Sequence, residues 1–156
     1  MEARWPSREI RLSRSMEQRS YGVNLLPGLT WKALAGLLRR VARDESVGYG
    51  WSWTARRPSQ LAVIQVGYVD GYSRDLSDRS GGLIRGRSVP DVGRVGANNL
   101  IADVNDIPDD SIGEEVVLIG RLGDDEVPVE EFASLSDLIN DEILARRPPA
   151  ISLPAA

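Results

Sequence analysis

From Gly48 onward, clusters of Gly, Asp, Asn and Pro divide the sequence into short apolar runs, and this punctuation is typical of a β protein. Four runs have lengths that suit single strands: LAVIQVGYV, GLIRG, NNLIADV and EEVVLIG. The residues between them favour turns, because Gly tolerates left-handed backbone and Asn and Asp bond their own backbone. The pattern therefore predicts a mostly β protein with at least four strands.

Two segments carry helical spacing instead. In LPGLTWKALAGLLRRVARDES, apolar residues three and four apart predict a helix over residues 32–43, although Gly36 lies inside it. These residues are Leu34, Leu37, Leu38 and Val41. A second set, Phe132, Leu135, Leu138 and Ile139, follows Pro128 and predicts a short helix near residues 129–140.

The length and composition limit the classes of protein. The 156 residues suit one domain, which we expect at 21–147 between an N-terminal tail, 1–20, and a Pro-rich tail, 148–156. There is no apolar run long enough to span a membrane and no signal-peptide core, so we expect a cytoplasmic protein without membrane contact. The net charge of −4 argues against a nucleic-acid partner.

The absence of Cys and His restricts the chemistry. Disulfides, thiol nucleophiles, imidazole bases and the commonest metal ligands are excluded throughout the sequence. The acidic clusters lack the ligand spacing of a calcium loop, and we interpret them as solvated turns, so no metal site is predicted. The alternation of Tyr49, Trp51 and Trp53 is typical of one face of a strand and predicts a packing stripe.

Four blocks together carry a family resemblance. They are VGYGWSW at 47–53, VGYVDGYSRDL at 66–76, VPDVGRVGANNLIADVNDIP at 89–108 and IGEEVVLIGRLGDDEVPVEEFA at 112–133. In this order and spacing they resemble the C-terminal β-domain of alanine racemase, over roughly residues 21–145. The resemblance implies a twisted, barrel-like β-domain with a short helix near 129–140. It also implies a strand at 32–43, which we adopt in place of the helix.

The family resemblance implies an activity shared between two domains. Alanine racemases are dimeric isomerases in which an N-terminal barrel carries pyridoxal phosphate on a lysine, and the β-domain of the other subunit completes the active site. The expected partners are thus such a barrel domain or a second copy of this chain, with an amino acid as substrate. The lysine of that barrel has no counterpart here, because the single lysine, Lys32, matches a strand of the β-domain.

The resemblance also implies roles for particular residues. Tyr49 matches the catalytic tyrosine, which acts as acid or base on one face of the substrate. Tyr68 matches a second active-site tyrosine, and Arg74 and Arg94 match arginines of the substrate corridor. Ala97 lies where the family backbone helps to hold the substrate carboxylate. No cofactor-binding residue is assigned within this chain.

The sequence also departs from the family. Gly96, Ala97 and Asn98 stand where the family has a cysteine or similar residue followed by Met-Asp, and Pro148–Ala150 replace a tyrosine that touches the cofactor phosphate. Two hypotheses therefore remain: a β-domain that complements a separate barrel, or a non-catalytic descendant that acts as an interaction domain. A third is that the partner racemises another amino acid, such as serine.

Overall fold

The structure, a computed structural model, describes residues 29–107 and 113–145. The tails that we expected at 1–20 and 148–156, including Pro148–Ala150, lie outside these ranges. Nine strands lie within them: β1 (Trp31–Val41), β2 (Ser46–Val47), β3 (Trp53–Thr54), β4 (Ser59–Ile64), β5 (Gly81–Ile84), β6 (Arg87–Pro90), β7 (Leu100–Asp103), β8 (Glu115–Leu122) and β9 (Asp125–Val127). The described part of the chain is thus mostly β, as expected.

The first strand explains why helical periodicity was misleading. β1 pairs antiparallel with β4 and β8, and its register shifts between Ala35 and Leu37. A bulge adds one residue and turns the following side chains to the opposite face of the strand. Two apolar residues that are three apart, with the bulge between them, can therefore lie on the same face. The helix predicted over 32–43 from spacing alone is wrong, and the strand implied by the resemblance is confirmed.

The main sheet curls without closing completely. Its strands follow the order β6-β5-β8-β1-β4-β7, with β9 on β8. The two edges meet at one bridge between Asp91, next after β6, and Ala102 of β7. The adjoining amide of Val92 donates to the Ile101 carbonyl at 2.8 Å. The arrangement is barrel-like, but the seam between β6 and β7 is held by far fewer bonds than a ladder.

The core has two parts on opposite faces of β1 and β4. The larger part contains Trp31, Tyr72 and Phe132, whose ring centroids lie 5.3–6.3 Å apart, with Tyr72 and Phe132 edge to face. Such aromatic pairs add about 0.5–1.5 kcal/mol each beyond the burial of their area. The smaller part lies beneath the β2–β3 hairpin and consists of Val41, Val47, Ala55, Leu61 and Val92.

The predicted helix near 129–140 is present as two short helices. α1 (Val129–Ser136) begins after Pro128 and is capped at its C-terminus by Asp137, which has φ 55°, and α2 (Asn140–Ala145) follows. Phe132 is buried in the core, whereas Ile139 is exposed between the helices. Within the described residues, neither helix has the length and apolar character needed to cross a membrane.

A buried hydrogen bond lies beside the seam. The Tyr72 hydroxyl, which is fully buried, donates to Oδ2 of Asp91. Among the described residues, Asp91 Oδ1 has no hydrogen-bond partner. Burial raises the pKa of Asp91 to about 7; the Asp78 charge acts in the same direction, and the Tyr72 hydrogen bond opposes it. Burial also raises the pKa of Tyr72 well above its ordinary value, so the phenol stays protonated and can donate.

We expect the free energy of unfolding to fall as the pH rises from about 4 to about 7, between the unfolded-state and folded-state pKa values of Asp91. In this window the folded state keeps a proton on Asp91 that the unfolded chain, with a pKa of 3.8, has already released. Above the unfolded-state pKa, each pH unit lowers the free energy of unfolding by up to about 1.4 kcal/mol, until the pH exceeds the folded-state pKa. Urea unfolding across the pH range measures this slope.

Asp91→Asn is the variant that isolates the carboxyl. It should flatten the slope but leave the smaller contribution of Glu131, whose pKa is also raised by burial. Asp124→Asn, which changes an exposed turn carboxylate, serves as the matched control and should keep the wild-type slope. An unchanged slope in Asp91→Asn would show that Asp91 does not bind this proton.

Candidate functional site

Tyr49 lies at the tip of the β2–β3 hairpin. Gly48, Gly50 and Trp51 all have positive φ, of 85°, 68° and 55°, and the Trp51 amide donates to the Gly48 carbonyl at 3.1 Å. This tight turn pushes the neighbouring aromatic rings outward, so that Tyr49 is 65% exposed and Trp51 73% exposed. The packing stripe predicted from 49, 51 and 53 is therefore wrong, because only Trp53 lies on a strand and packs against the smaller core.

Tyr68 begins the 3₁₀ turn Tyr68–Asp70, which is fixed to a neighbouring loop. Its amide donates to the Gly96 carbonyl at 3.1 Å, and the next amide, of Val69, donates to the Ala97 carbonyl at 2.9 Å. The Asp70 carboxylate closes the turn by accepting from the Gly67 amide at 2.9 Å. Tyr68, 47% exposed, therefore projects from a backbone that is firmly attached to the loop containing Ala97.

Arg74 connects the two tyrosines. Its guanidinium carbon lies 5.5 Å from the centroid of the Tyr49 ring and 5.9 Å from that of the Tyr68 ring. Both distances lie within the range of cation–π attraction, which is worth about 0.5–1 kcal/mol at an exposed position. The cation thus bridges a hairpin turn and a 3₁₀ turn that are about twenty residues apart in sequence.

Arg94 adjoins the same group through backbone contacts. Its amide donates to the Ser52 hydroxyl at 2.9 Å, and its guanidinium lies beside Gly50 in the Tyr49 turn. The preceding residue is fixed as well, since the Gly93 amide donates to the Asp78 carboxylate at 2.5 Å. The loop after the seam is therefore attached to the hairpin on one side and to residues 77–78 on the other.

The structure brings the five predicted residues into one region, but in different ways. Tyr49, Tyr68 and Arg74 share side-chain contacts, whereas Arg94 and Ala97 join them through the backbone of their loop. Two buried residues that anchor this region, Tyr72 and Asp91, were not predicted from the sequence. Both residues stand in recognisable motifs, as the second tyrosine of GYVDGY and the aspartate of VPDVG, but nothing in the sequence pairs them.

Lys32 lies elsewhere and has a partner. Its Nζ is 3.0 Å from a carboxylate oxygen of Glu115 on the adjacent β8, and half of its side chain is exposed. Its ammonium is therefore held against the neighbouring strand by this ion pair. In the described ranges, moreover, no group of three or more acidic side chains could hold a metal ion.

Proteins of a known family resemble this chain in sequence and fold. The alanine racemase C-terminal domain family matches residues 29–152. The alanine racemase of Symbiobacterium thermophilum is 43% identical over 133 residues, which is 83% of this chain and 35% of the relative's length. The solved alanine racemase of Bacillus anthracis, with bound L-Ala-P, matches this chain with a TM-score of 0.79 at 29% identity. The match covers 88% of this chain and 35% of that protein.

A second solved structure gives the same relation. The biosynthetic alanine racemase of Pseudomonas aeruginosa has a TM-score of 0.71 at 33% identity, over 78% of this chain and 33% of that protein. This chain therefore spans about a third of the length of the relatives that it matches. The similarity concerns their C-terminal β-domain.

Gly67→Ala should destabilise the fold, because a Cβ at this position would overlap the Gly96 and Ala97 carbonyls. Neither carbonyl is the end of a flexible side chain, so the whole loop would have to shift. Overpacking of this kind costs about 1–3 kcal/mol. The free energy of unfolding from urea titration measures the loss.

Gly36→Ala is the matched control. A Cβ there would meet the end of the flexible Gln65 side chain, which can move away at little cost. We expect its unfolding free energy to stay within about 0.5 kcal/mol of wild type, as for most surface substitutions. Equal losses in both variants would contradict the close attachment of Gly67 to the 96–97 loop.

Proposed function

This chain belongs to the alanine racemase C-terminal domain family, and on that premise we propose that it supplies one part of an amino-acid racemase active site. A barrel domain that carries pyridoxal phosphate would complete the site. The substrate would be a small amino acid, with alanine as the first candidate. The relatives are whole racemases, of which this chain corresponds to about a third.

One observation supports this proposal above the others. Tyr49 and Tyr68 gather around Arg74 on an exposed surface, not in the core. A tyrosine that serves only packing would bury its ring, as Tyr72 does. Exposed phenols beside arginines are instead suited to a site whose other wall comes from another domain.

Racemisation requires an acid or base on each face of the substrate α-carbon, since a proton leaves one face and another arrives on the opposite face. We assign Tyr49 to one face, where its Oη takes or gives the proton. The opposite face needs a group from the barrel. Arg94 and Arg74 would attract the substrate carboxylate, and the Ala97 backbone and Tyr68 would border its path.

The barrel domain would carry the cofactor into the site. Pyridoxal phosphate supplies the electron sink that makes an α-proton removable. The single lysine of this chain, Lys32, is held by Glu115 on β1, so this chain does not fit the cofactor's covalent attachment. We therefore assign this chain no bond to the cofactor.

A second candidate function is a non-catalytic interaction domain. The exposed aromatic surface would suit a protein partner equally well, since Trp51 and Val69 extend it beyond the tyrosines. Gly96, Ala97 and Asn98 favour this alternative, because they replace the side chains that shape the substrate site in the family. Association without racemisation would distinguish it from the first proposal.

We expect racemisation of alanine when this chain is mixed with a separately produced alanine racemase barrel domain and pyridoxal phosphate, and none from this chain alone. Tyr49→Phe should lower the rate by about 100- to 10,000-fold, the usual effect of losing a general acid or base. Its fold should persist, because the hydroxyl it removes is on an exposed ring. Circular dichroism of the amino acid measures the racemisation rate, and urea unfolding measures the stability of the variant.

Trp51→Phe is the control, since it alters another exposed aromatic ring on the same turn but removes no phenol. It should retain most of the activity. Binding without racemisation in the wild-type mixture would support the interaction domain instead. Full activity in Tyr49→Phe would refute the role assigned to that phenol.

A further inference from the structure

We propose that Arg74 is a positioning residue for Tyr49: its guanidinium, placed between two phenol rings, holds the Tyr49 ring at a fixed angle to the Tyr68 turn. This inference rests on the proposed function for its catalytic meaning, but its structural content can be tested on this chain alone. The two tyrosine rings are the main partners of Arg74, and a substrate carboxylate is only a secondary partner.

Tyr49 has little packing of its own to orient it. Its ring is 65% exposed, and the residues beside it, Gly48 and Gly50, have no side chains that could support it. A tyrosine ring on such a turn can rotate about its side-chain bonds unless another group restrains it. The contact with Arg74, 5.5 Å from the ring centroid, is the restraint that the structure provides.

Arg74 itself starts from a well-fixed backbone. It opens the 3₁₀ turn Arg74–Leu76, whose last residue is buried, and its carbonyl accepts from the Ser77 hydroxyl. Two residues earlier, Tyr72 is fully buried and bonded to Asp91. The core therefore fixes the base of the Arg74 side chain, and the guanidinium transmits that position to a ring on a separate hairpin.

The charge of Arg74 is available for this task. Throughout the described part of the chain, no carboxylate lies within salt-bridge distance of its guanidinium, whereas Arg39, Arg85 and Arg121 all have acidic partners. Its described side-chain contacts are with the two rings. Because a guanidinium is planar, it can lie against both rings at once, which an ammonium cannot do as well.

The first test uses this chain with ¹³C-labelled tyrosine rings, whose signals are assigned with Tyr49→Phe and Tyr68→Phe. In Arg74→Gln we expect the Tyr49 and Tyr68 ring signals to move and the Tyr49 ring to gain mobility in relaxation measurements. Arg74→Lys should restore them in part. Arg79→Gln removes the same charge five residues away, where the guanidinium touches the Asp75 carbonyl and no ring, and should leave the signals in place.

Unmoved Tyr49 signals in Arg74→Gln would overturn the proposal. This result does not depend on racemisation, so it separates failure of the positioning role from failure of the proposed function. If the wild-type mixture is inactive, the function fails and the ring signals still decide the position of Tyr49.

The second test is kinetic and uses the active mixture of this chain with the barrel domain. Misplacing a catalytic group lowers turnover, so we expect kcat to fall about 10- to 100-fold in Arg74→Gln with KM changed less than about threefold. A large rise in KM at constant kcat would instead identify Arg74 as a carboxylate ligand and overturn the positioning role. Arg79→Gln should match wild type in both constants.

Discussion

The buried hydrogen bond from Tyr72 to Asp91 is the interaction on which the rest of this structure depends. Tyr72 ends the segment that presents Tyr68, and Asp91 begins the loop that presents Arg94 and Ala97. Together with the backbone bonds from Tyr68 and Val69 to the 96–97 loop, this bond fixes the relative position of the two segments, and the Tyr72 ring packs in the core beside Phe132. A carboxyl group buried with one unsatisfied oxygen is costly, and the domain carries that cost where the candidate site needs its two loops held together.

The sequence was informative wherever local chemistry decides structure. Glycine and acidic punctuation predicted the short strands, and proline followed by spaced apolar residues predicted α1. It was misleading at β1, because a bulge at Gly36 lets a strand imitate the spacing of a helix. It also failed at Trp51, whose positive φ places it on an exposed turn when simple alternation predicts a packed face.

For the candidate site, the motifs indicated which residues would matter but not how they are connected. The contact of Arg74 with Tyr49 joins residues from two different turns, and the periodicity of a sequence cannot predict such a contact. The same holds for Tyr72 and Asp91, nineteen residues apart, which become neighbours only when the sheet curls. Residue types can be predicted from local patterns, whereas partnerships across the fold follow from strand order and register.

The incomplete seam has a consequence for motion. β4 and β7 are joined by four residue pairs, whereas in the described part of the chain the two edges of the sheet meet at a single bridge, between Asp91 and Ala102. Local opening starts where the fewest bonds must break. The seam therefore adjoins the loop that bears Arg94 and Ala97, and the Tyr72–Asp91 bond, more than the sheet's own hydrogen bonds, limits how readily that loop opens.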